Sequence, residues 1–200
     1  MSFWNSHEEI WKQFAAELKG QFVEGGWLKH DKVEAHWKTW TITLDKYVVS
    51  TGKTHHVYTR FRAPYVNADG FRFRIYRKSI FSGLGKKLGL VKDIEIGEQF
   101  FDDQFVIQGT NEDRVRAMLG RPELRRLIEA QPNICFEVKD DEGWFGTKFP
   151  EGVDELYFIA DGVVKDVEQL RGIYKLFAEV LDYLSSAGSA HRRDPGVSLK

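Results

Sequence analysis

The chain has one cysteine and no long hydrophobic segment, and both scarcities restrict what it can be. With Cys135 alone among its 200 residues, the sequence excludes an intrachain disulfide and a zinc site built from several cysteines. No run approaches the length of about 18 apolar residues that a transmembrane helix needs. The first residues lack the basic and apolar regions of a signal peptide. Because a lone thiol suits a reducing compartment, we predict a cytoplasmic protein of bacterial type.

Recognisable catalytic and metal-binding motifs are also missing. The six histidines include no pair with the i, i+4 spacing of a zinc protease helix. His55 and His56 are adjacent in a predicted strand, where neighbouring side chains point to opposite faces. Cys135 lies inside the apolar run ICFEV, which is typical of a buried structural thiol. We therefore predict no metal, no cofactor and no catalytic residue, which favours a non-enzyme over an enzyme with a non-standard site.

Charge is distributed in two blocks of opposite sign, although the formal net charge is -1. Residues 53–92 contain ten lysines and arginines and a single acid, Asp69. Residues 93–113 contain seven acids and neither lysine nor arginine. Two interpretations are open: the blocks face each other in the fold, or one of them is a binding surface.

Hydrophobic periodicity predicts an α+β protein. Apolar residues at helical spacing indicate an amphipathic helix that closes near Gly25, two short helices after Thr110 and Pro122, and a long helix from Asp166. Alternating and short apolar runs between them indicate strands. We predict an antiparallel, meander-rich sheet with amphipathic helices at both termini and a two-helix insert. Residues 1–187 form this single domain, and residues 188–200 form a flexible C-terminal tail.

Residues 56–63 and 71–78 have the clearest alternation, which predicts a hairpin. If they pair antiparallel with residue numbers that sum to 134, Phe61 faces Phe73 on one side and Arg60 faces Arg74 on the other. A shift of one residue would mix apolar and basic side chains on each face.

The basic face of this hairpin is the main candidate site. Its four guanidinium groups would repel one another, so something must offset their charge. One hypothesis is an internal ion-pair ladder, in which Asp93 and Glu95 on a neighbouring strand supply the opposite charge. The other is a surface for phosphate-bearing partners, because arginine binds phosphate bidentately and tyrosine stacks on bases. The candidate ligand-binding residues are Tyr58, Arg60, Arg62, Arg72, Arg74, Tyr76, Lys86 and Lys87.

Two further segments have alternative interpretations. Residues 78–92, with Lys86 and Lys87 among glycines and leucines, suit an anionic membrane surface or a loop whose apolar residues enter the core. The aromatic stripe of the N-terminal helix, which includes Trp11 and Phe14, packs within the chain or forms a homodimer contact.

The stretch FDDQFVIQGTNEDRVRAML, residues 101–119, combines a strand containing F-x-V, a short acidic turn and a helix. It resembles a segment of an uncharacterised bacterial protein family, a domain of unknown function, over about 60 residues around 101–160. This resemblance implies no activity and no functional residue.

The sequence therefore predicts a non-enzymatic binding or assembly module. The alternatives are a binder of phosphate-bearing ligands, either RNA or an anionic lipid surface, and an enzyme with a non-standard site.

Overall fold

One antiparallel sheet with helices around it forms the protein, which we describe from a computed structural model covering residues 7–26, 30–80, 93–140 and 147–199. The helices in these ranges are α1 (His7–Glu17), α2 (Gln99–Gln104), α3 (Glu112–Leu119), α4 (Pro122–Glu129) and α5 (Val167–Ser186). The strands are β1 (Gln21–Val23), β2 (Lys32–Trp37), β3 (Trp40–Thr51), β4 (Thr54–Asn67), β5 (Phe73–Arg77), β6 (Phe105–Gly109), β7 (Cys135–Lys139), β8 (Val153–Asp161) and β9 (Ala190–His191).

The strand order is β1-β2-β3-β4-β8-β7-β5-β6, and β9 pairs with β4. Strands β1 to β4 form a meander, and the later strands extend the sheet beyond β4. The predicted α+β class is confirmed, as are the meander, the terminal helices and the two-helix insert, which is formed by α3 and α4.

The predicted hairpin between residues 56–63 and 71–78 is wrong. Strand β4 pairs with β3 and β8, whereas β5 pairs with β6 and β7. The prediction of which side chains point into the core is nevertheless correct. Phe61 lies opposite Phe158, Phe158 opposite Phe136, and Phe136 opposite Ile75, so these residues share one face of the sheet. Alternation determines the face on which a side chain lies, but several partner strands satisfy the same alternation.

The helix-facing side of the sheet contains the aromatic core. On α5, Phe177 contacts Phe61 and Phe136 with ring centroids 5.9 and 5.6 Å apart. Asp166 caps this helix by accepting a hydrogen bond from the Glu168 backbone N–H at 2.8 Å, which satisfies a donor that the first turn leaves unpaired. The long helix therefore lies on the sheet through the face that its apolar periodicity predicts.

Helix α1 packs within its own chain, the first of the two arrangements that the sequence left open. Trp11 and Phe14 are buried in the core, and the Trp11 indole N–H donates to the Val164 carbonyl at 3.1 Å. The helix ends at Glu17, earlier than predicted, because Lys19 adopts a φ of 52° and the chain turns into β1. The aromatic stripe is thus covered in the monomer.

The C-terminal segment contacts the sheet. Ala190 pairs with Asn67 through β9, and Leu199 is buried, with its carbonyl accepting a hydrogen bond from Lys32 Nζ at 3.3 Å. The domain boundary at residue 187 and the flexibility of the tail stay predictions.

Candidate functional site

The sheet face that points away from the aromatic core has a row of ionisable side chains, which we call the polar face. The strand registers place Arg62 opposite Tyr157, Tyr157 opposite Glu137, and Glu137 opposite Arg74. Four adjacent strands, β4, β8, β7 and β5, thus present their side chains in one line across the sheet. Arg62 has 0 % of its surface exposed and Glu137 has 2 %, so the line is largely removed from water.

Two arginines on β4 share one carboxylate on β3. Arg60 donates from Nε and Nη2 to the two oxygens of Asp45, each at 2.8 Å, in the bidentate geometry that guanidinium and carboxylate favour. The Arg62 guanidinium binds the same carboxylate. The aspartate lies on the strand next to β4, directly opposite Arg60. Pairing across neighbouring strands offsets the repulsion between the two arginines.

A second ion pair joins β5 and β7. Arg74 Nε lies 3.0 Å from Glu137 Oε2, so the two side chains form an ion pair. The angle between them does not satisfy hydrogen-bond geometry. Lys139 approaches the other Glu137 oxygen at 3.6 Å and lies 3.5 Å from the centroid of the Tyr157 ring. Lys139 is also the register partner of Glu155, which is fully buried. Positive and negative side chains therefore alternate across this part of the polar face.

Arg72 has different neighbours from the other three arginines. Its Nε and Nη2 donate to the two oxygens of Asp154 at 3.0 and 3.1 Å, and its Nη1 donates to Asp140 at 2.7 Å. Asp154 also accepts a hydrogen bond from Asn67, which in turn binds the Phe71 carbonyl. Arg72 thus fixes the connection between β4 and β5.

The ion-pair ladder exists, but the predicted source of its carboxylates is wrong. The acids that pair with the four arginines are Asp45, Glu137, Asp140 and Asp154. Asp93 instead accepts a hydrogen bond from Gln108, and residue 94 bonds to β6 at the far edge of the sheet. Because β4 is four strands away from β6, Asp93 and Glu95 cannot reach Arg60 or Arg62.

The remaining candidate residues have separate locations. Tyr58 is half-buried opposite Tyr47, whereas Tyr76 is buried beside Arg74, and burial raises the pKa of the Tyr76 phenol. Lys86 and Lys87 lie outside the described residues.

Sequence reasoning missed the acidic half of the ladder. Asp45 and Glu137 each lie within a strand and have the same alternation as the arginines that they bind. The sequence signal for these partners was an acid within a predicted strand. A carboxylate at such a position is buried by the sheet and needs a cation nearby.

Cys135 is buried on the polar side of β7, next to Arg74 and Glu137. Burial, reinforced by the charge of Glu137, raises the pKa of the Cys135 thiol to about 11, so the thiol is protonated at neutral pH. In the parts of the chain that the structure describes, no three metal-ligating side chains come together. A cavity of about 180 Å³ lies near the polar face, lined by Glu34, His36, Thr41 and residues 197–199 among others. This volume is below the range typical of pockets for drug-sized ligands.

Within the described ranges, none of the helices has the length and apolar composition needed to cross a membrane.

Comparisons with known proteins identify a shared fold. No family model and no curated protein sequence matches the chain, so the resemblance of residues 101–160 to an uncharacterised family stays a prediction. Among solved structures, the chain is similar to the mycobacterial trehalose monomycolate transport factor A, TtfA, with a TM-score of 0.56 and 9 % sequence identity. The similarity covers 98 % of this chain and 100 % of the TtfA chain, and at this identity it shows that the two proteins share a fold.

Proposed function

We propose that the chain is a non-enzymatic binding or assembly module of the bacterial cytoplasm, in which the polar face is an internal ion-pair ladder. The observation that carries this proposal is the sharing of one buried carboxylate, Asp45, by Arg60 and Arg62. Arg62 has no exposed surface, and Asp45 already occupies the Nε–Nη2 edge through which Arg60 would bind a phosphate bidentately. The ladder holds the sheet together, and other surfaces bind the partner.

The protonation states support a role without catalysis. A general acid or base needs a pKa near the working pH and access to the substrate. The Cys135 thiol has neither property, since it is buried with a pKa of about 11. The phenol of Tyr157 is buried too, and burial raises its pKa. These groups suit the interior of a scaffold better than a site of proton transfer.

The shared fold adds a weaker argument. TtfA is named as a trehalose monomycolate transport factor. Since one fold supports many functions, the shared fold is compatible with a binding role for the present chain and indicates no ligand.

A phosphate-bearing ligand is the second candidate, and one specific contact favours it. The Arg60 guanidinium lies 4.9 Å from the centroid of the Tyr47 ring, and Tyr47 is 40 % exposed beside the half-buried Tyr58. An exposed tyrosine next to a guanidinium group can stack on a base and place a phosphate near positive charge. An anionic lipid surface approached by Lys86 and Lys87 is the lipid form of the same candidate.

Binding of polyanions distinguishes the two candidates. We would titrate the full chain into a fluorescent single-stranded RNA and into phosphatidylserine vesicles. The titrations are repeated at NaCl concentrations from about 50 to about 300 mM, over which contacts with phosphate weaken. The proposed module predicts no salt-dependent binding to either probe. RNA binding that is lost in Tyr47→Ala, and kept in the matched exposed control Val23→Ala, would instead establish the phosphate-binding candidate. Vesicle binding lost in Lys86→Glu with Lys87→Glu would establish its lipid form.

A further inference from the structure

The β3–β4 hairpin extends beyond the rest of the sheet. Strand β2 pairs with β3 only as far as Asp45, and β8 first pairs with β4 at Thr59. Pairing between β3 and β4 continues to Thr51 and Thr54, where Gly52 turns the chain with a φ of 66°. We call residues 47–56 the hairpin arm. The outer edge of its first strand, residues 47–50, has no strand partner in the described parts of the chain.

The hairpin arm exposes a tyrosine and carries no negatively charged side chain. Tyr47 is 40 % exposed, and Val48 and Val49 are half-buried. No aspartate or glutamate occurs between Lys46 and Ala68 in the sequence, and Lys53 is exposed near the tip. An open strand edge with such side chains is suited to pair with an extended segment that carries carboxylates.

The opposite end of the sheet presents a segment with carboxylates, which is non-helical over residues 93–98 and continues into α2. Residues 93–103, which we call the acidic edge, contain five acids and no lysine or arginine. The Ile94 N–H donates to the Ile107 carbonyl at 2.7 Å, so the segment begins alongside β6. Phe100 on α2 is 69 % exposed, and within the described ranges Glu95 and Asp103 form no ion pair.

The two surfaces cannot meet within one molecule. The hairpin arm continues β3 and β4, and the acidic edge lies beyond β6. From β4 to β6 the sheet crosses four strand spacings, roughly 19 Å. A contact between the arm and the edge therefore needs two copies of the chain.

We propose that the hairpin arm of one copy docks on the acidic edge of a second copy, in a head-to-tail arrangement. This inference rests on the proposed function, whose assembly partner it names. Lys53 of the arm has a charge opposite to that of Glu95 and Asp103 on the edge, and the contact covers Tyr47 and Phe100, two of the three large hydrophobic side chains that the described chain exposes, the third being Val23. Because the two surfaces differ, the interface is heterologous and adds further copies in an open chain or a ring.

Sedimentation velocity of the full chain over a concentration series tests the proposal. We expect a mass above the 23.2 kDa of one chain that rises with protein concentration. Raising the NaCl concentration to about 0.5 M should weaken the association roughly tenfold, because screening shortens the reach of exposed charges. A single monomer mass at all concentrations and at both salt levels would overturn the proposal.

Two variants then identify the surfaces. The arm variant carries Tyr47→Ala with Lys53→Glu, and the edge variant carries Glu95→Lys with Phe100→Ala. Each should be monomeric alone, since each lacks one half of the interface. Their equimolar mixture should form a species of two chains and no larger, because one intact arm meets one intact edge. A control variant, Glu151→Lys, changes an exposed acid elsewhere and should assemble like the wild-type chain.

The outcomes separate this inference from the proposed function. An assembly that persists in both variants, or a mixture that stays monomeric, overturns the head-to-tail contact. RNA and vesicle titrations of the wild-type chain test the proposed function separately, because the proposed module shows no salt-dependent binding whether or not it assembles.

Discussion

At the scale of single residues, the most unusual feature is the burial of ionisable groups on a sheet face. Arg62 and Glu155 have no exposed surface, and Asp45 and Glu137 have almost none. A charged group that is buried without a partner destabilises a protein by roughly several kcal/mol. Asp45 avoids this cost because two guanidinium groups bind its carboxylate. Removal of a single partner would therefore leave an uncompensated charge in the sheet.

The thiol of Cys135 gives a prediction at this scale. With a pKa of about 11, roughly one thiol in ten thousand is ionised at pH 7, and burial also blocks access. We expect a thiol reagent such as dithionitrobenzoate to react with the native chain at least about 100-fold more slowly than with the chain unfolded in guanidinium. Equal rates in the two states, measured by absorbance at one pH, would show that Cys135 is accessible and reactive.

At the scale of elements, the sequence predicted the sheet face of each side chain better than it predicted which strands pair with each other. The alternation in β4 and β5 correctly separated the phenylalanines from the arginines, but it assigned the two strands to each other. The structure inserts β8 and β7 between them. Both arrangements keep Phe61 inside, so local alternation cannot choose between them. The choice depends on contacts between distant parts of the chain, such as Phe61 with Phe158.

The junction between α1 and β1 gives a prediction at the element scale. A Cβ at Gly20 would lie 2.5 Å from the Glu34 carbonyl oxygen on β2, too close for any side chain without a backbone shift. Gly20→Ala should therefore lower the free energy of unfolding by about 1–3 kcal/mol, as overpacking does. Urea titration followed by tryptophan fluorescence measures this change.

Gly26→Ala is the matched control for that substitution. Among the described residues, nothing lies within 4 Å of a Cβ at Gly26, so the control should change the free energy of unfolding by less than about 0.5 kcal/mol. Equal effects of the two substitutions would contradict the close packing of Gly20 on β2.

At the scale of the whole molecule, composition and periodicity sufficed to predict the α+β class, the helices at both ends and the two-helix insert. The candidate site was predicted only in part. Arg60, Arg62 and Arg74 do belong to an ion-pair ladder, but the charge blocks along the sequence indicated the wrong acids. Single acids within apolar strands, Asp45 and Glu137, neutralise the arginines. Because such acids are isolated in the sequence, a count of charges along the chain does not reveal them.

The central claim is that the polar face is an internal ladder, and a double-mutant cycle on Arg74 and Glu137 tests it most directly. Their contact of 3.0 Å joins two side chains that are mostly buried. Glu137→Gln should cost about 3–5 kcal/mol, since it leaves the Arg74 charge without its carboxylate. Arg74→Met should cost less, because Lys139 stays 3.6 Å from Glu137. The double variant should cost clearly less than the sum, by about 1.5 kcal/mol or more. Single losses below about 1 kcal/mol that add without coupling would contradict the ladder.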